Sequence, residues 1–267
     1  MTSQIPLCKE ERNMSEYLAY SIHLGSDKNK TKSAQQIAKN NATGTTSFSN
    51  NSIQNSGQLT KVDKHNIGKY EHKREQIAII CGTDNITNDV KNMYLQEFET
   101  ARIEYNNKQT REDRKIKDYF QNVDKNANRD LACQLIIELG DMEFWKDKSK
   151  EYKDKMVDVY KEQIEDLQKI IPEFKVANGV IHFDESSPHL HVVGVPVKDG
   201  YKKGMKKQVA KSLIFTKESL VTLQDKMRAC GIKSFNKEYN IDYKLKTKEK
   251  GRDEYIPVSK MARISWT

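Results

Sequence analysis

The stretch IHFDESSPHLHVVGV, residues 181–195, carries three of the chain's six histidines and two carboxylates within ten residues, then runs into β-branched side chains. Successive side chains of a strand point to opposite faces, so His189 and His191 share one face and Leu190 takes the other. The run FKVANGVIHFDE (174–185) is separated from HLHVVGVPVKD (189–199) only by Ser186, Ser187 and Pro188. A connection that short makes the two strands an antiparallel hairpin. His182 and Glu185 then lie just across the turn, and His182, His189 and His191 converge on one point. Three His on adjacent strands with an open fourth position suit a metal that does chemistry, since a structural site is closed by its own ligands. Nitrogen donors favour Mn, Zn, Co or Ni over the oxygen-preferring Ca and Mg. A lone His-x-His pair is more often bonded locally, and it is the addition of His182 and Glu185 that tips the reading toward a metal. A helical metalloprotease motif is excluded, because Pro188 breaks the segment and its flanks alternate or run apolar as strands do. Asp184 points to the other face, where a turn role is expected.

Working outward, the sequence reads as a first strand near 17–24, a strand in EQIAIICGTD (75–84) and another in ACQLIIELGD (132–141). Ile86, Val90, Tyr94, Phe98, Ala101 and Tyr105 recur at spacings of three and four, which predicts a helix over about 86–106. Met156, Tyr160, Ile164, Leu167 and Ile171 mark a second helix that Pro172 limits. Leu220, Leu223, Met227 and Cys230 outline a third, with Thr216 as N-cap and Gly231 placed to stop it. The order predicts an α+β fold, an α/β sandwich with a central, mainly antiparallel sheet flanked by helices. Residues 1–13 read as a tail, with Met14 a plausible second start; 14–255 read as one domain carrying a polar insertion at 27–60, and 256–267 as a C-terminal tail. The insertion is dominated by Asn, Ser, Thr, Gln and Lys, so it buries too little to order itself and is expected to be a long loop.

The chain has 267 residues and a net charge of +8 from 46 basic and 38 acidic side chains, which tilts the choice of partner toward a polyanion. No stretch resembles a membrane span or signal peptide, so the expectation is a cytoplasmic protein without membrane insertion. Cys8, Cys81, Cys133 and Cys230 lie far apart with no C-x-x-C pair, three of them in apolar surroundings, and read as reduced core residues. No Walker-type Gly-rich loop is present in the sequence.

HFDESSPHLH resembles the third motif of the plasmid mobilisation/recombination (Pre/Mob, MobV-type) relaxases, His-hydrophobic-Asp-Glu-x-x-Pro-His-hydrophobic-His, and His189-Leu190-His191 matches the His-hydrophobic-His signature of that endonuclease superfamily. DKHNIGKYE (63–71) resembles the family's first motif through His65 and Asn66, and TREDRKIKDYF (110–120) resembles its Arg-x-x-Arg-Lys segment. With VPVKDGYKKGMKKQ and SFNKEYN the likeness covers roughly residues 17–255. Two departures stand out. The family's arginine three residues after the first-motif histidine is Gly68 here, and the helical C-terminal half common in the family is not found in this sequence.

The resemblance implies a metal-dependent DNA relaxase that nicks and rejoins one strand at a plasmid or mobile-element transfer origin through a covalent protein–DNA intermediate. DNA, single-stranded or supercoiled, would be its substrate, and the conjugative coupling machinery a further partner. His182, His189 and His191 would hold the metal, Mn first, with Mg, Zn, Co or Ni as alternatives. His65 would be the nucleophile, forming a phosphoramidate, with Tyr70 as the rival; an ordinary imidazole keeps a nitrogen lone pair available at neutral pH, whereas a phenol needs more activation. Glu185 would orient or deprotonate the nucleophile, or serve as a fourth ligand. Asn66, Arg111, Arg114, Lys115, Lys202, Lys203, Lys206 and Lys207 would bind DNA, the segment 201–211 having five lysines and no acid. The rival readings are an inactive or truncated relaxase-like protein that only occupies its origin or promoter, and a metal-dependent nuclease that releases free ends.

Overall fold

The structure, a computed structural model, describes residues 17–24, 52–68, 76–183, 185 and 187–247. Nine strands are described: β1 (Tyr17–Leu18), β2 (Tyr20–Leu24), β3 (Ser52–Ile53), β4 (Ile77–Cys81), β5 (Ala132–Leu139), β6 (Phe174–His182), β7 (His189–Lys198), β8 (Gln208–Val209) and β9 (Lys244–Leu245). The four long helices are α1 (Ser56–Asn66), α2 (Ile86–Asn107), α3 (Met156–Ile170) and α4 (Lys217–Tyr239). The central sheet runs β2-β5-β7-β6-β4, with β3 added on β5 and β8 on β7. Every pairing in it is antiparallel. Among the described residues, no helix is long and apolar enough to cross a membrane.

Alternation along β7 sorts the sheet into two faces. Leu190 and Val192 enter one core with Leu135 and Ile137 of β5, covered by α3 and α4. Val193, Val195 and Val197 enter the other with Val180, covered by α1 and α2. Both helix layers follow the expected periodicity: Ile86, Val90, Tyr94, Phe98 and Ala101 of α2 are all buried, as are Val159, Tyr160, Ile164 and Leu167 of α3. Each such large side chain contributes about 1.5–3 kcal/mol on burial. The hairpin of β6 and β7 forms as expected, with His182 directly opposite His189 and Val180 opposite His191.

Three expectations change. Residues 52–60 are not loop: β3 pairs with β5, and Asn55 caps α1 by accepting from Gln58 N at 3.0 Å. The segment orders because a few apolar groups, Ile53 and Leu59, reach a core that the rest of the fold supplies. Gly231 does not stop α4, which continues to Tyr239 and ends at Asn240 with φ 52°. A Cβ at Gly231 would lie 2.6 Å from Tyr20 Cε2, so its glycine serves close helix–sheet approach rather than termination. Of the described cysteines, all free, only Cys133 is in the core, where burial pushes its thiol up to about 12; Cys81 and Cys230 are half-buried. Cys8, Tyr70, Asp184, residues 27–51 of the polar insertion and both expected tails lie outside the described residues.

Candidate active site

The hairpin register fixes the site. Residues opposite each other on antiparallel strands share a face, so His182 and His189 stand side by side and His191 follows two residues along. Their ring centres are 5.3 Å (182–189), 4.4 Å (182–191) and 4.9 Å (189–191) apart. All three are buried, at 0%, 8% and 3% exposure. His65, on the last turn of α1, brings a fourth imidazole, with its ring centre 5.6 Å from those of both His182 and His191. Unlike the other three, it is exposed.

Each hairpin histidine is secured through one ring nitrogen by a group outside the cluster. His182 Nε2 donates to the carbonyl of Asn66 at 3.0 Å, and His189 Nδ1 to the carbonyl of Ser187 at 3.0 Å. His191 Nδ1 meets the side-chain amide of Gln134 at 2.7 Å. For His182 and His189 that is how metal-binding imidazoles are oriented: an outer carbonyl fixes the tautomer and the second nitrogen keeps its lone pair, while at His191 the Gln134 amide holds the ring in place by donating to Nδ1. The turn is itself anchored, since Ser187 Oγ donates to Glu138, to which Ser21 Oγ also donates at 3.4 Å, and Tyr160 Oη donates to the Pro188 carbonyl at 2.8 Å.

The cluster fits a metal on its donor chemistry. Donor atoms of His65, His182 and His191 all lie within 4.8 Å of one another, and so do those of His182, Glu185 and His189. His182 belongs to both groups. Glu185 Oε1 lies 3.8 Å from His189 Nε2, so the carboxylate sits on the ligand side of the cluster. The fourth-ligand role has this geometric support.

The other expected site residues fall elsewhere. Asn66 is wholly buried and offers its carbonyl to His182; among the described residues neither atom of its side-chain amide has a hydrogen-bond partner. Its side chain is therefore not on a surface that DNA can reach. Gly68 has φ 72° and its N–H donates to the His65 carbonyl at 3.1 Å, closing α1 in a left-handed conformation that glycine favours. Glycine at the position of the family's arginine thus suits the backbone found here. Arg111 pairs with Asp113 at 2.6 Å and Lys115 with Glu112 at 2.5 Å, in the exposed loop after α2 that also holds Arg114. Lys202, Lys203, Lys206 and Lys207 follow the far end of β7, whose last residue Lys198 is nine residue steps from His189, a strand length of about 30 Å at a rise of ~3.3 Å per residue. Lys207 is half-buried in an ion pair with Glu97.

Gln134, Glu138 and Ser187 were not singled out from the sequence. The signal was nonetheless there: in ACQLIIEL of β5 the two polar residues fall four apart, hence on one face of an otherwise apolar strand, and register sets Glu138 opposite His189.

An antiparallel sheet sandwiched by helices, with a His-hydrophobic-His strand at its centre, defines a relaxase-type fold. The MobM relaxase domain (MOBV; Mob_Pre) bound to 22 nucleotides of plasmid pMV158 oriT DNA, Mn-bound at pH 4.6, aligns with a TM-score of 0.50 at 14% identity over 92% of this chain and 99% of that one. The Mn-bound complex of the same domain at pH 5.5 gives 0.49 at 14% identity over 93% and 99%. None of the curated proteins compared with the chain matches it. The family model described as Mob_Pre, plasmid recombination enzyme, matches residues 55–255, and the chain belongs to that family.

Proposed function

We propose that this protein is a metal-dependent DNA relaxase that nicks and rejoins one strand at a transfer origin, working in the cytoplasm with DNA and the conjugative coupling machinery as partners. The observation that carries the reading is the asymmetry of the cluster: three buried imidazoles held by outer partners, and a fourth, His65, exposed against them. Buried, oriented histidines suit the role of ligands, and an exposed one beside them suits attack on a strand, which supports this reading.

His182, His189 and His191 would hold the metal, with Glu185 beside them; His182 shares one group of close donor atoms with Glu185 and His189 and another with His191 and His65, and Mn is the first expectation because the MobM structures contain it. When bound, the ion supplies Lewis-acid polarisation of the scissile phosphate and spreads its developing charge. The lone pair of His65 attacks phosphorus, a P–N bond forms, and the P–O3′ bond breaks. The leaving 3′ oxygen takes a proton, and the 5′ phosphate stays on His65 as a phosphoramidate. Return attack by the 3′ hydroxyl reverses each bond change, so closure needs no ATP. Asn66 contributes by holding His182 through its carbonyl and so couples the end of α1, where His65 sits, to the ligand strand. Arg111, Arg114 and the exposed lysines of 202–206 would bind the DNA backbone at a distance from the cut.

Supercoiled plasmid carrying the flanking region of the gene, incubated with Mn, tests this. The expected result is open circles and a covalent protein–DNA adduct, both lost with His65→Ala or with chelator. Binding without nicking across several metals would mean a DNA-occupying protein instead, and nicking without any adduct would mean a nuclease.

A further inference from the structure

We propose that the loop 199–207 and the last turn of α2 form a preordered site for unpaired DNA, separate from the His cluster. The proposal rests on the relaxase reading and deepens it, by naming where the strand is held away from the cut.

Tyr105, Lys108, Tyr201, Lys202 and Lys206, with one acid, Glu104, line a groove of about 460 Å³. That volume lies within the range of small-ligand sites. Exposed Lys203 stands beside it. The loop that carries these lysines is tied down from within. Gln208, 5% exposed, donates its Nε2 to the carbonyls of Lys203 at 3.0 Å and Met205 at 2.8 Å, and accepts from Arg129 at 2.7 Å. Tyr201 N donates to the Lys206 carbonyl at 2.9 Å, Met205 is 2% exposed, and Lys207 pairs with Glu97 of α2. Gly200 and Gly204 take φ values of 86° and 75° at the bends.

A lysine run that is merely solvated needs none of these restraints. Holding like charges together in one loop costs free energy, and a polyanion offsets that cost while gaining from the preorganisation. The half-buried Tyr105 and Tyr201 add flat rings to the groove walls. Aromatic rings beside backbone-binding cations suit unpaired bases, which expose faces for stacking, better than a duplex, whose bases are stacked already. From His191 to Lys198 at the end of β7 is seven residue steps, a strand length of about 23 Å, or about seven duplex base pairs. The loop therefore follows the end of the strand that points away from the His cluster.

The test is fluorescence anisotropy of a labelled oligothymidine against the full chain in chelator, over a salt series. The comparison is with Lys202→Gln/Lys203→Gln/Lys206→Gln and, separately, Tyr201→Leu. The triple variant is expected to weaken binding about tenfold or more and to shrink the slope of log K against log salt by about 2, at roughly 0.7 per lost phosphate contact on a single strand. Tyr201→Leu should weaken binding with the slope unchanged. The triple variant should leave Mn affinity at the His cluster intact, which also certifies its fold. Unchanged affinity and slope, or equal losses for duplex and single strand, would overturn the proposal. So would a wild-type chain that does not bind the oligothymidine. If the plasmid is not nicked yet the strand-binding losses appear, the relaxase chemistry fails and this site stands; nicking with a triple variant that binds like wild type gives the reverse.

Discussion

Replacing Gln134 by leucine removes the amide that meets His191 Nδ1 at 2.7 Å, at a position 8% exposed, while nearly preserving side-chain volume. Depriving a buried polar group of such a partner costs about 1–3 kcal/mol. At about 1.4 kcal/mol per decade that corresponds to roughly 5–150-fold in an equilibrium constant. Outer partners of metal-binding imidazoles independently show losses of about 10–100-fold in affinity when removed. The two figures agree, so Gln134→Leu should raise the Mn dissociation constant by about 10–100-fold. Calorimetric titration with Mn measures it directly, and thermal unfolding in chelator checks the fold. Mn affinity unchanged by the leucine substitution would refute the view that Gln134 sets the orientation of His191.

Gly231→Ala should destabilise the protein although alanine is favoured in a helix interior by about 1 kcal/mol. The new Cβ would meet Tyr20 at 2.6 Å and disturb the 3.1 Å hydrogen bond from Tyr20 Oη to Gln163, and overpacking of this kind costs about 1–3 kcal/mol; scanning calorimetry would show a lower Tm, and an equal or higher one would contradict the packing argument. Gly68→Arg, which restores the family's residue, places a side chain at φ 72° and should cost about 1–2 kcal/mol in denaturant unfolding. Asp141 accepts from Lys246 at 2.6 Å, and that bond holds its carboxyl below the usual carboxylate range. Its stabilising contribution is present above the ordinary carboxylate pKa and is lost as pH falls through the lowered value, so Asp141→Asn should flatten the acid limb of the stability–pH curve. An acid limb of unchanged steepness would count against this ion pair.

The sequence was most legible where periodicity and ligand chemistry coincide. His182, His189 and His191 could be set on one face because a two-residue period and a short turn leave no other arrangement, and the sheet's register agrees. The long helices were readable for the same reason, as their buried residues recur at three and four. Gly231 misled because a helix stop and a close helix–sheet contact both call for glycine, and only the position of Tyr20 decides between them. The order at 52–60 was hidden because its stability comes from β5 and α2, distant in sequence, rather than from its own composition. His65 drew attention through a motif, but its place beside the hairpin depends on how α1 docks, which local pattern does not encode. Lys202, Lys203, Lys206 and Lys207 follow the metal strand in sequence, and a strand of ten residues carries the chain to the other end of the sheet before them.

The most direct measurement of the central claim is peptide mapping by mass spectrometry of the covalent adduct formed with origin DNA and Mn, under conditions that preserve acid-labile bonds. The account predicts a 5′-phosphonucleotide on His65, released by mild acid and absent from the His65→Ala protein. An acid-stable linkage, or a nucleotide on Tyr70 or any other residue, would contradict it.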